Sequence, residues 1–428
     1  MRAKISALLL VLILIVPGCG RKDGTPSGLE FVSSARARAA APTVPQTDLA
    51  AVAAGNNAFA FDLYKAIRGQ KGNLFYSPYS ISLALAMTYA GARGDTESQM
   101  ADTLHYTLPQ SALHPAFNAL DQALASRGQN AQGKDGTPFR LSIANSIWGQ
   151  KGFTFLPAFL DALAENYGAG LRLLDFAASP EPSRGIINQW VSEQTAGKIP
   201  DLLPQGSIKT DTRLVLANAI YFNAAWLSPF EKAVTRDGAF HLLDDGTVTV
   251  PMMRATHRYG YFKGDGYQAV ELPYSGSDTS MVILLPDAGG FAAFESALDA
   301  SAVDAIAGGL EYREVTLAMP KFTFKSEFAL SDALKDMGMP LAFSDAADFS
   351  GMTGKPNVLI DQVYHQAFVA VDESGTEAAA ATAVVIAPTS AQPDPPIAVT
   401  VDSPFFFLIR DMETGAVLFV GRVLNPAS

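Results

Sequence analysis

Six runs of β-branched and aromatic residues crowd the second half of this 428-residue chain, and they constrain its fold more than any other feature. They read "TRLVLANAIYF" (212–222), "TVTVPMM" (247–253), "QAVELPY" (268–274), "SMVILLP" (280–286), "EVTLAMPKFTF" (314–324) and "AVLFVGRVLNP" (416–426). Each is bounded by Gly, Pro, Asp or Ser, the pattern of strands closed by turns. The first half reads differently. In "NLFYSPYSISLALAMTYAGARGDTESQM" (73–100), Ser77 can cap a helix with Pro78 at its first position, where a missing N–H leaves nothing unpaired. Ile81, Leu85 and Thr88, with Ala84 between them, line one close-packed face, and Gly91 can end the helix. Helical stretches follow around 113–125 and 156–167. Helices early and strands late predict an α+β fold with large antiparallel sheets, in preference to a doubly wound α/β sheet.

From Leu49 to Asn425 there is neither a linker nor an internal repeat, so residues 49–428 are expected to form one large domain. Apolar residues make up 48% of the chain and charged ones 17%, which suits a folded protein with a large core. The formal charge of −11 argues against nucleic acid as the main partner, since a phosphate-binding surface needs clustered Lys and Arg.

Residues 1–18 are expected to be a signal peptide. Arg2 and Lys4 form a basic start, and the apolar run Ala7 to Val16 is too short to span a bilayer. The run ends in "VPGC", and a small residue directly before Cys19 resembles a bacterial lipoprotein box, with lipid on the Cys19 thiol. Cys19 is the only cysteine, so the exported body can form no internal disulfide. Residues 20–48 are rich in small residues and Pro without sustained periodicity, so 19–48 is expected to be the lipidated Cys and a flexible tether. The domain would then be exported and held at a bacterial membrane (outer membrane, cell surface or periplasmic face), or secreted. Because the body is acidic, only the lipid would hold it to anionic membrane. Gly20 after Cys19 favours the outer membrane by the sorting habit of lipoproteins.

Catalytic chemistry is hard to find. No two of His105, His114, His241, His257 and His365 lie within five positions, so there is no HExxH and no paired zinc-ligand spacing. A single Cys excludes zinc–thiolate sites. There is no GxSxG elbow and no P-loop. Gly264, Gly266 and Ala269 make a GxGxxA, but it leads into a strand and reads as a turn. No cofactor and no metal are expected.

"VTVDSPFFFLIRDMETGAVLFVGRVLNP" (399–426) resembles the C-terminal signature of the serpins, the conformational inhibitors of serine proteases. The resemblance continues in the family's order through 73–100, "LSIANSIWGQKGFTF", "INQWVSEQTAGKIPDLL", "LVLANAIYFNAAW", "MPKFTFKSEFALSDALKDMGM", "DFSGMT" and "VYHQAFVAVDESGTEAAAATA", over about 370 residues. It implies three β-sheets with eight or nine helices around them and an exposed reactive-centre loop, in a protein that is not an enzyme but a monomeric protease inhibitor. In that family a protease acylates itself on the loop, and the cleaved loop inserts as a new strand into the central sheet. Glu373 would open the hinge. Gly375 would be its joint, because it alone in the segment accepts φ > 0 freely. Strand alternation puts Thr376, Ala378, Ala380 and Thr382 on the face that would be buried, and Glu377, Ala379 and Ala381 on the other. Every member of the first set is small and uncharged, as zipping into a sheet requires. Non-inhibitory serpins, used as binding or chaperone modules, typically carry bulky or charged hinge residues instead. Ser77, Ser80, Asn218 and His365 match the family's polar cluster beneath the site where the sheet opens, and Trp190 is placed where the loop first inserts.

Counting along the hinge as the family does puts Thr389 before the cleaved bond and Ser390 after it, with Val385 and Ile386 as alternatives. From Val369 to Pro404 there is no Lys, Arg, aromatic residue, Leu or Met. A trypsin-like or chymotrypsin-like pocket finds nothing to hold there. Small and β-branched residues suit elastase-like serine proteases, with subtilisin-like enzymes next.

Overall fold

Twelve consecutive residues, Leu214–Ala225, form the axis of the molecule, and all but the last are buried. This strand, β5, is covered on both faces, which is why its sequence shows a continuous apolar run and not a polar–apolar alternation. The computed structural model describes residues 29–128, 131, 139–376 and 395–428. Among these are ten α-helices. They are α1 Gln46–Ile67, α2 Pro78–Tyr89, α3 Gly94–Thr103, α4 Gln110–Ser126, α5 Pro157–Tyr167, α6 Pro180–Gln194, α7 Phe291–Ala297, α8 Ala300–Gly309, α9 Ser331–Met337 and the single turn α10 Ser350–Thr353. The other strands are β1 Glu30–Val32, β2 Leu74–Tyr76, β3 Arg140–Gln150, β4 Leu171–Leu174, β6 Arg236–His241, β7 Thr247–Gly264, β8 Tyr267–Pro273 and β9 Thr279–Pro286. They continue with β10 Glu311–Pro320, β11 Phe322–Ala329, β12 Gln362–Asp372, β13 Gly375–Thr376, β14 Ile397–Thr400, β15 Phe405–Asp411 and β16 Val417–Val423.

The central sheet runs β1-β4-β3-β5-β13-β12-β11. A second hydrogen-bonded network runs β14-β10-β7-β8-β9-β15-β16-β2, with β6 on β7. The 18-residue β7 serves two sheets at once. Its first part pairs with β6 and β10, and its last residues, Gly260 to Gly264, pair with β8. The network therefore divides at β7 into β14-β10-β7-β6 and β7-β8-β9-β15-β16-β2, which with the central sheet makes the three sheets the family resemblance implied. The β7–β8 turn is Asp265-Gly266, with Gly266 at φ +78°, so the GxGxxA is a hairpin turn.

Ser77 caps α2 as expected, accepting from the Ser80 N–H at 3.1 Å, with Pro78 at the first helical position. The helix is buried on every side and not on one face alone, because α1, β3, β5 and β16 all pack against it. It is the wedge on which the central sheet rests.

The N-terminal segment corrects the sequence reading. Residues 29–45, expected to be tether, are docked on the body, and α1 starts at Gln46, inside the expected tether. Strand β1 adds antiparallel to the edge of β4, with Phe31 opposite Arg172. Arg36 pairs with Asp161 and Glu165 on α5 (3.2 and 2.5 Å), and Arg38 with Asp121 on α4 (2.6 Å). A three-residue strand and three ion pairs from two arginines leave no periodicity to read. Residues 1–28, including Cys19, lie outside the described residues.

Candidate functional site

The central sheet is parted at one end. Strands β5 and β12 pair in parallel from Val215/Gln362 to Tyr221/Phe368 and then separate. Into the parting sits β13, whose two residues pair antiparallel to both neighbours: Gly375 with Ala225 and Asp372, Thr376 with Ala224 and Val371. Only glycine fits the first position. Its φ is +151°, and an added Cβ would stand 2.2 Å from the Ala224 carbonyl oxygen and 2.7 Å from the Ala225 Cα. Thr376 is 1% exposed, and its hydroxyl shares a 2.8 Å hydrogen bond with the buried Tyr274 hydroxyl. The Thr376 side chain thus faces the interior of the molecule.

Trp226 fastens the turn into this parting. Its backbone N–H donates to the Ser374 carbonyl and its indole N–H to the Asp372 carbonyl, each at 2.9 Å, while its ring stacks on Tyr274 at 4.7 Å. Glu373 is buried beside it. Its carboxylate accepts from the Thr235 hydroxyl at 2.9 Å and lies 2.9 Å from the Lys321 ammonium. Burial alone would raise the Glu373 pKa, but Lys321, a backbone N–H and Thr235 outweigh it, so the group sits below its ordinary value and stays ionised. The turn is thus held by a charge clasp on one side and an aromatic stack on the other.

Below the parting, polar side chains cross the sheet in one row. Asn145 on β3, Asn218 on β5 and His365 on β12 are direct cross-strand neighbours. The Ser77 N–H at the cap of α2 donates to His365 Nε2 at 3.1 Å. Nε2 must therefore offer its lone pair, which leaves the proton on Nδ1 to be donated to Asn218 Oδ1. Asn218 Nδ2 donates to Ser80 Oγ at 2.7 Å and also to Asn145 Oδ1, and Asn145 Nδ2 donates to the Ser80 carbonyl at 3.0 Å. Burial drives the His365 pKa down to about 3, so the ring is neutral, as the two bonds to it require. A neutral imidazole with both nitrogens engaged, one by the helix cap and one by the neighbouring strand, acts as a latch.

Four of the five residues expected in this cluster, Ser77, Ser80, Asn218 and His365, are brought together. Trp190 is not with them, nor where the loop enters. It lies on α6, its ring 5.8 Å from Trp148 and 4.5 Å from the Arg172 guanidinium, beside the opposite end of β5 from β13. The tryptophan at the entry is Trp226, which follows β5 directly, and "NAAW" was the signal that could have found it. Asn145 was also missed. A lone Asn amid the apolar residues of "SIANSIW" marked it. Of the hinge, Glu373, Gly375 and Thr376 are described; Glu377, Ala378, Ala379, Ala380, Ala381, Thr382, Thr389 and Ser390 lie outside the described residues.

Residues 54–426 match the family model described as serpin (serine protease inhibitor). The chain is 38% identical to a serpin-like protein of Thermococcus kodakarensis, over 98% of each chain. It is 39% identical to the leukocyte elastase inhibitor of Bos taurus, over 88% of this chain and 99% of that one. Among solved structures, the thermophilic serpin tengpin in its native state is 27% identical with a TM-score of 0.80, covering 92% of this chain and all of that one. Uncleaved ovalbumin is also 27% identical, with a TM-score of 0.77 over 88% of this chain and all of that one. The family match over nearly the whole body, the shared fold, the parted sheet and the hinge seated in it establish that the chain belongs to the serpin family.

Proposed function

We propose that the protein is a suicide-substrate inhibitor of serine endopeptidases with small-residue specificity, elastase-like first and subtilisin-like second. The protease attacks the bond near Thr389–Ser390, forms the acyl-enzyme, and is carried away as the freed strand zips between β5 and β12. One observation carries this reading: Gly375–Thr376 already occupy the parting, antiparallel to both neighbours. A strand continuing from Thr376 need only follow the same alternation, in which each inward position named above is Ala or Thr. The name of the bovine relative, an elastase inhibitor, agrees with a loop devoid of cations and aromatics.

In the same reading residues 1–18 are removed on export, Cys19 carries lipid, and the domain works as a monomer at a membrane surface or after release. Mixing the purified protein with an elastase tests the core of it. A band stable to denaturing gels near the sum of both masses is expected. A clipped inhibitor beside free, active protease would instead point to a non-inhibitory serpin acting as a binding or chaperone module. Mass analysis of the released C-terminal fragment locates the bond, and metabolic labelling with a fatty acid, lost in Cys19→Ala, tests the anchor.

A further inference from the structure

On the outer face of the sheet formed by β14, β10, β7 and β6, two arginines and one carboxylate, Glu314, stand in solvent, in a chain whose formal charge is −11. Arg254, Thr256 and Arg258 alternate along β7 with side chains in solvent, and the Thr256 and Thr316 hydroxyls meet at 2.9 Å, which fixes these positions to one face. Two neighbouring cations are already neutralised: Arg313 by Glu311 at 2.5 Å and Lys263 by Asp287 at 2.9 Å. Among the described residues no carboxylate forms an ion pair with Arg254 or Arg258, although Glu314 is the cross-strand neighbour of Arg258. Arg258, Tyr312 (51% exposed), Glu311, Glu314, Pro395 and Ile397 are among the residues that line an open groove of about 600 Å³, with Arg254 further along the same face.

Pro395 and Ile397 are where the chain returns from the reactive segment into β14, parallel to β10. A protease engaging that segment must bring the rim beside its primed subsites over this groove. We propose that Arg254, Arg258 and the Tyr312 groove form a second contact surface for the target protease, selecting enzymes whose rim next to the primed subsites is acidic. The proposal rests on the inhibitory reading above. Two exposed guanidiniums without an ion pair among the described residues, one of them donating to the Tyr312 carbonyl at 3.5 Å, are suited to contact with carboxylates, and opposite charge at an encounter surface acts mainly on the association rate.

The test compares the wild type with R254E/R258E against two elastase-like proteases, one of net negative and one of net positive charge. For the anionic enzyme the charge reversal should slow association by about tenfold and invert its dependence on salt, and it should accelerate the cationic one, with the stoichiometry of inhibition unchanged in both. Thr256→Glu places a carboxylate between the two arginines without removing either, and should slow the anionic enzyme in the same direction. Rates that stay within about twofold of wild type for both variants would overturn the proposal. So would an effect seen only with an added sulfated polysaccharide, since the face would then read polyanions and not protease. If neither enzyme gives a covalent complex with wild type, the inhibitory reading has failed. Binding of a catalytically inert serine-to-alanine form of the anionic protease then decides separately, its loss in R254E/R258E supporting the contact surface and its absence in wild type refuting it.

Discussion

Thr376→Arg tests whether the inward register of the hinge is what makes the protein a trap. The threonine side chain is enclosed, its hydroxyl is bonded to Tyr274, and its strand neighbours are Ala224 and Val371. The nearby carboxylate, Glu373, is already engaged by Lys321 and Thr235. A guanidinium placed there would be buried without a partner, at roughly 3–5 kcal/mol, and the Tyr274 hydroxyl would lose its partner, at about 1–3 kcal/mol more. The variant avoids both by leaving the parting, so insertion must start without the two residues already laid in register. Insertion competes with deacylation, and every 1.4 kcal/mol added to its first step slows it about tenfold. Even the lower figure makes insertion about a hundredfold slower, enough for deacylation to win. Titrating an elastase with the variant should show the number of inhibitor molecules consumed per enzyme rising far above one, with cleaved chain replacing complex on the gel. Thr376→Val, which keeps shape and loses only the hydroxyl, should still trap. If Thr376→Arg traps with unchanged stoichiometry, the hinge does not enter the sheet by this face and the reasoning fails.

Three further outcomes follow from the clasp, the latch and the joint. His365 has a folded pKa near 3, below the ordinary 6.5, so its contribution to stability is complete above about pH 6.5 and is lost as pH falls toward 3. The native state should weaken by roughly 2 kcal/mol between pH 6.5 and 5 from this group, and His365→Gln should flatten that slope in denaturant titrations. Lys321→Ala leaves the Glu373 carboxylate buried with only Thr235 and backbone donors. A loss of about 1–3 kcal/mol is expected, discounted because Lys321 is itself partly exposed, and size-exclusion chromatography after mild heating should show faster conversion to inactive forms. Gly375→Ala puts a methyl group against the Ala224 carbonyl, so the hinge should be expelled, and limited proteolysis should cut near it in the variant and not in wild type.

The fold class could be read directly from the sequence because it rests on long signals. The apolar run of β5 and the Ser77–Pro78 start of α2 each span enough residues to be specific by themselves. The polar cluster was partly legible because Ser77, Ser80, Asn218 and His365 fall inside matched motifs. Asn145 was not, since a single Asn on a strand declares its role only when Asn218 and His365 are seen in the same cross-strand row. Trp190 and Trp226 were confused for the same reason. Both fall inside matched motifs, and only the position of β13 beside Ala224 and Ala225 shows which one lies next to it. The docked N-terminus was illegible because Arg36 and Arg38 find partners 80 to 130 residues away, on α4 and α5.

On the proposed reading the sheet must open once, and a polar cluster suits that. A seam closed by aliphatic packing would part gradually, each methyl losing a little, whereas hydrogen bonds shared between buried groups resist until one is broken and its partners are left unsatisfied. The row Asn145–Asn218–His365 joins three neighbouring strands to each other, and Ser77 and Ser80 tie that row to the helix beneath. Separating β5 from β12 breaks the Asn218–His365 bond first, because it alone spans that seam within the cluster. On that reading a strand entering behind Thr376 would restore backbone partners to both edges as it advanced, which would put the barrier at the latch and the gain after it. Strengthening the latch should therefore slow spontaneous insertion more than it stabilises the final inserted form.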